Sequence, residues 1–136
     1  MALLTISADD VRVVKRSDLT QLTLPAGEAI NAGQYCRPSS AGKFEYGNGT
    51  TTGEVGDGFI AEKSVAIGDP LTAHKGPGVV LDLGAALDGL SYGASVYLSD
   101  TDGRLADAAG TVSLVVGKVI PGWAGTAKKL LRLTMV

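Results

Sequence analysis

The chain has one cysteine, one histidine, few aromatic residues, no basic run and no long apolar run, and each shortage removes a class of function. Cys36 has no partner within the 136 residues for a disulfide. That excludes a disulfide-built scaffold and makes a reducing compartment the simpler expectation. His74 stands alone, so one chain cannot supply a zinc site of two or three histidines, nor a nucleophile and base drawn from two. A Ser-His-Asp arrangement would lack the G-x-S-x-G elbow that commonly positions its serine. Aromatic residues are only 5%, too few to line a sugar path between paired carboxylates. With 12 Lys plus Arg against 14 Asp plus Glu and no cationic cluster, the sequence lacks the phosphate-binding footprint of a nucleic-acid partner. No apolar stretch approaches the roughly 20 residues of a membrane span, and a soluble protein without membrane contact is expected. The apolar opening through Ile6 meets Asp9 and Asp10 at once and carries no basic flank, so it reads as an arm rather than a secretion signal.

What the chain has in excess is glycine. Nineteen glycines are about twice the ordinary frequency of roughly 7%. Each costs on the order of 1 kcal/mol inside a helix, and they recur too closely to leave room for long ones. Period-two alternation appears instead, as in Val11-Arg12-Val13 and Leu22-Thr23-Leu24, the latter stopped by Pro25-Ala26-Gly27. One arrangement recurs three times: Ile30-Asn31-Ala32-Gly33-Gln34-Tyr35, Val65-Ala66-Ile67-Gly68-Asp69-Pro70-Leu71, and Leu90-Ser91-Tyr92-Gly93-Ala94-Ser95-Val96. In each, an apolar residue precedes a glycine that turns the chain into a strand. A further turn glycine follows each copy, at Gly42, Gly76 and Gly103, where a positive φ is expected. The period is too irregular for a solenoid and reads as one turn solution reused within a β-meander.

Further strands are predicted at 58–61, 78–83, 112–120 and 129–136, the last two being the most apolar and therefore central. Residues 84–89 allow about one helical turn. Residues 47–58, nearly all Gly, Thr, Asn and acids, are predicted to be the mobile loop. The expected fold is all-β: a compact sandwich or partly closed barrel of short antiparallel strands with Gly-rich turns and at most one short helix. It is a single domain, with residues 1–24 as N-terminal arm and first strands and 25–136 as the body.

No motif assembles chemistry. Asp100 and Asp102 before Gly103 imitate the start of a calcium loop, but Arg104 and Thr111 fall where ligands should be, so a hairpin whose aspartates bond local amides is expected. Asp82 and Asp88 read as solvated loop acids, and His74 as a solvated strand end. The glycine loop lacks the Gly-Lys-Ser/Thr ending of a phosphate cradle. Asn48-Gly49-Thr50 is a glycosylation sequon that carries little weight without a secretion signal. Neither a metal, a cofactor nor an enzymatic activity is expected. Trp123, on the turn between the two most apolar strands, is either a core lid or an exposed anchor for a partner.

From Gly78 through Leu81-Asp82-Leu83-Gly84-Ala85-Ala86-Leu87-Asp88-Gly89-Leu90-Ser91-Tyr92-Gly93 to Asp102-Gly103-Arg104-Leu105-Ala106-Asp107, the chain resembles the central segment of tailed-bacteriophage capsid decoration, or cement, proteins and related prophage head proteins. Residues 25–34 and 115–120 resemble the flanking strands. The resemblance implies a small β protein without catalytic residues, commonly a homotrimer, that clamps major capsid proteins on the outside of a virion and is made in the bacterial host cytoplasm. On that reading Leu3, Leu4, Ile6 and Trp123 are the candidate partner contacts. The arm could add to a neighbour's sheet edge or pair with its own body as an ordinary first strand. The alternative class is a carbohydrate-binding or fibre-associated β module, and a third is a small hydrolase using Asp82, Asp88, Asp100 or His74.

Overall fold

Every few residues a glycine or proline interrupts the apolar alternation, so the strands are short and many. The computed structural model describes residues 2–122 and 127–136. The strands are β1 (Arg12–Lys15), β2 (Gln21–Pro25), β3 (Tyr35–Pro38), β4 (Phe44–Tyr46), β5 (Phe59–Ala61), β6 (Pro70–His74), β7 (Val80–Asp82), β8 (Ser95–Leu98), β9 (Leu105–Ala106), β10 (Val115–Pro121) and β11 (Lys129–Leu133). They form two antiparallel sheets, one of six strands in the order β1-β7-β11-β10-β8-β9 and one of five in the order β2-β6-β5-β3-β4. The protein is nearly all-β, consistent with a sandwich and without a closed barrel. The apolar strands β10 and β11 occupy the middle of the larger sheet, as their composition predicted.

The strand order corrects the expected meander. Adding five to each strand number of the smaller sheet reproduces the larger one, apart from its extra edge strand β1. The chain therefore builds the same five-stranded connectivity twice, once over residues 21–74 and again over 80–133. The sequence equivalents become visible on that frame: Gly33 with Gly93, and Ala41-Gly42-Lys43-Phe44 with Asp102-Gly103-Arg104-Leu105.

The thrice-repeated motif is one turn docked in one way. Gln34, Asp69 and Ala94 donate their amides to the carbonyls of Asn31, Ala66 and Ser91 at 3.1–3.2 Å, closing four-residue turns. The third residue of each is a glycine with φ of 82, 88 or 84°. That is the type II geometry, whose third position takes glycine because a side chain there is strained. Each turn then clasps one strand residue. Gly33 donates to the Ala61 carbonyl and Ala61 to that of Gln34; Gly68 and Asp69 treat Ala26 in the same way, and Gly93 and Ala94 treat Val119, all at 2.7–3.0 Å. The Asp102-Gly103 pair joins this type and is not a two-residue hairpin turn. Only Gly103 has a positive φ (69°), and Arg104 bonds back to Thr101. Gly76 lacks the positive φ expected of it, which falls on Gly78 instead.

Two cores result. The larger is enclosed by the six-stranded sheet and one face of the smaller, with Tyr35, Ile60, Leu81, Leu98, Val116 and Leu131 among its members. The second lies on the opposite face of the smaller sheet and holds Ile30, Cys36, Phe44, Phe59 and Leu71. All three residues of β5 are buried because its two faces serve different cores. The smaller sheet curls until Ala26, just past β2, bridges Phe44 of β4.

Residues 84–87 form a short 3-10 turn, close to the expected helical turn, whereas the one α-helix among the described residues, α1 (Thr52–Val55), falls inside the glycine loop. The two ends of that loop are packed, while residues 50–53, 56 and 57 are exposed. Gly47 and Gly58 lie flat against the ring of the fully buried Tyr35, leaving no room for a Cβ. Asn48 donates to Asp102 at 2.7 Å, and Gly49 exchanges backbone bonds with Ser99 and Val112 at 2.7 and 2.6 Å. Its glycines serve close approach, which composition cannot distinguish from flexibility.

Candidate partner-contact surface

The N-terminal arm pairs with its own body. Leu3 bridges Ala106 of β9, and Leu4 donates its amide to the Leu105 carbonyl at 2.8 Å. Arg104 reaches the Leu4 carbonyl at 3.0 Å, and Asp107 ties both ends of Ala2. The alternation that follows from strand geometry sends Leu4 into the larger core, 7% exposed, and leaves Leu3 outside at 38%. Ile6 is partly buried and lies over Gly33, helping to shut the first turn. Leu3 is thus the member of the apolar trio that a partner can reach on this arrangement. Trp123 lies outside the described residues.

More exposed apolar side chains sit elsewhere. Ile67 (71%) and Tyr92 (51%) each occupy the second position of a clasped type II turn, and Leu19 (96%) projects from the 3-10 turn between β1 and β2. The second turn position points away from the strand that the turn clasps, so rigid backbone carries an apolar side chain outward. In the first copy the same position is Ala32, buried beneath the arm at 3%. Sequence reasoning missed Ile67 and Tyr92, although the repeated motif marks their positions. Tyr92 is further held by Lys129, whose ammonium lies 5.3 Å from the ring centroid and donates to the Leu90 carbonyl at 2.5 Å.

The residues with chemical potential are spent on structure. His74 is fully buried, not solvated as expected, because β6 lies inside the smaller sheet and not at its rim. Its Nε2 is 3.1 Å from Glu62, which also pairs with Arg16. Burial pulls the Glu62 carboxyl up, but hydrogen bonds from His74 and Arg16 and their charges outweigh it and hold the group below its ordinary value. Cys36 is buried in the second core, and desolvation pushes its thiol far up, into the unreactive form. Tyr35 is likewise pushed up, by burial first and then by the charge of Asp57, and its hydroxyl donates to the Val55 carbonyl at 2.7 Å.

Contrary to the expected bonds to the amides of their own turn, Asp100 and Asp102 fasten neighbouring loops. Asp100 accepts from the Thr111 amide and hydroxyl at 2.8 and 2.7 Å, which hold its carboxyl below the ordinary value, while Asp102 takes the Asn48 amide. That bond and the burial of Asn48 (9%) also withhold the sequon nitrogen. Asp82 and Asp88 line one cleft of about 820 Å³, with Asp10, Arg12 and Lys128 beside them. Asp82 is engaged there by Lys128 and by the Gly84 amide, each at 2.9 Å. Among the described residues no group of three or more His, Cys, Asp or Glu could hold a metal ion, and no helix is long and apolar enough to cross a membrane.

No protein-family model, curated protein or solved structure matches the chain.

Proposed function

We propose that the protein is a capsid decoration protein that binds the outer surface of an assembled phage capsid and stabilises the lattice, acting as a homotrimer on the major capsid protein without catalysing a reaction. The observation that carries this reading is the division of labour between interior and surface. The histidine and the linked acids make internal bonds and the cysteine is buried in the second core, while rigid clasped turns carry Ile67 and Tyr92 outward as apolar contacts. A cement protein must resist load and offer anchors already in place, because ordering a loose loop on binding would consume part of the contact energy. The resemblance of the central segment supplies the capsid as the partner. Carbohydrate recognition would favour several exposed aromatic rings, and among the described residues Tyr92 is the most exposed of few.

The test is co-sedimentation of the purified chain with undecorated capsids. The reading expects stoichiometric binding, weakened by Ile67→Asp and by Tyr92→Ser, and a trimer mass by light scattering. Failure of the wild-type chain to pellet with capsids would remove it.

A further inference from the structure

The outer face of the larger sheet carries a row of cations that folding alone does not explain. Lys15 of β1 stands opposite Val80 of β7, and Val80 opposite Arg132 of β11. Arg132 stands opposite Lys118 of β10, and Lys118 opposite Ser95 of β8. Directly opposed residues share a face, so Lys15, Arg132 and Lys118 lie in one line across the sheet. All three are exposed, while the alternate residues Val119, Leu131 and Leu133 turn into the core. Among the described residues none of the three belongs to an ion pair; Lys118 donates to the Ser95 hydroxyl at 3.1 Å. Arg12 extends the cationic face at the start of β1, opposite Asp82, whose carboxylate Lys128 already holds at 2.9 Å.

Two like charges placed directly opposite each other on neighbouring strands destabilise a sheet. The chain has more acids than bases, with a net charge of -2, yet sets none directly opposite Lys118 or Arg132 on the neighbouring strands; Asp82, one diagonal pair along from Arg132, is held by Lys128 at 2.9 Å. The cost of this like-charge pair on an exposed, regular surface would be offset by an anionic partner laid across it.

We propose that this face docks an acidic protein surface. The cations recur at multiples of the strand spacing of about 4.8 Å, a repeat that carboxylates on the strands or helix turns of a partner can meet. The cleft at the Arg12 end of the row is lined by Asp10, Asp82 and Asp88, acids that would repel a phosphate backbone. Among the described residues of that face, Tyr97 is half-buried and no platform for stacked bases, which sets a protein partner above a nucleic acid. The proposal goes beyond the capsid reading and does not rest on it, since an isolated acidic chain tests it with no capsid present.

The experiment measures fluorescence anisotropy of labelled poly-L-glutamate titrated with the full chain. It is run at an ionic strength of about 10 mM and again at about 150 mM, where the Debye length shortens from about 30 to about 8 Å. The same titrations use duplex DNA and the double variant Lys15→Glu/Lys118→Glu. Poly-glutamate should bind more tightly than DNA, weaken with salt, and lose affinity at least about tenfold in the double variant. Lys118→Glu alone turns the opposed pair with Arg132 into one of unlike charge, so its Tm should rise, by about 2 °C. A rise separates lost binding from lost folding. Absence of poly-glutamate binding, equal binding by the double variant, tighter binding of DNA, or a fall in Tm with Lys118→Glu would each overturn the proposal.

Discussion

Replacing Gly58 by alanine asks whether the glycine loop is free or packed, because the two readings predict opposite signs. In a mobile loop the change restricts the unfolded chain and is neutral or stabilising, by up to about 1 kcal/mol. In the structure an alanine Cβ would enter the van der Waals envelope of the Tyr35 ring and hydroxyl, and Tyr35 is fully buried with no space to retreat. Overpacking of this kind costs about 1–3 kcal/mol. Displacing the ring also breaks the 2.7 Å bond from its hydroxyl to the Val55 carbonyl, for about 1 kcal/mol more. A total of about 2–4 kcal/mol corresponds to a Tm fall of about 6–15 °C for a chain of this size. Tyr35→Phe alone should cost about 1 kcal/mol, by leaving that carbonyl unpaired. In the Gly58→Ala background the bond is already lost, so the double variant should fall short of additivity by about 1 kcal/mol. Urea and thermal unfolding followed by circular dichroism measure all three variants. A Gly58→Ala variant as stable as wild type, or strict additivity with Tyr35→Phe, would refute the packing argument.

Two further outcomes follow from groups the fold perturbs. The folded-state pKa of Glu62 lies below its ordinary value of 4.5, so its contribution is present above that value and is lost as pH falls through the folded pKa. Wild type should therefore exceed Glu62→Gln in stability at pH 7 and lose that margin on acidification below about 4.5, as denaturant titrations across pH would record. Cys36, buried and with its thiol shifted upward, should react with an aromatic disulfide reagent only as the protein opens. Its labelling rate should rise in parallel with the unfolded fraction in urea, and fast labelling of native protein would contradict the burial.

Much of the fold was legible because glycine position and strand alternation are local. The turns at Gly33, Gly68 and Gly93 could be read from spacing, since a type II turn needs glycine at one place whatever surrounds it. The central position of β10 and β11 followed from their apolar content, because an edge strand of that composition would expose it. The candidate surface was less legible. The arm's apolar pattern allowed either a neighbour's edge or its own body, and the free edge of β9 settled the pairing in favour of Ala106.

Sequence by itself determined an all-β chain, punctuated by glycine, with too few histidines, cysteines and aromatics to assemble the usual sites. Only the tertiary structure decided that the strands form one connectivity twice, that His74 is buried, and that the glycines at 47 and 58 serve close packing against Tyr35. It alone also set Lys15, Lys118 and Arg132 in one row. The physical reason is that turn geometry depends on the φ/ψ of a few adjacent residues, whereas burial, cross-strand register and charge proximity depend on segments distant in the chain meeting in space, as Val80 and Arg132 do.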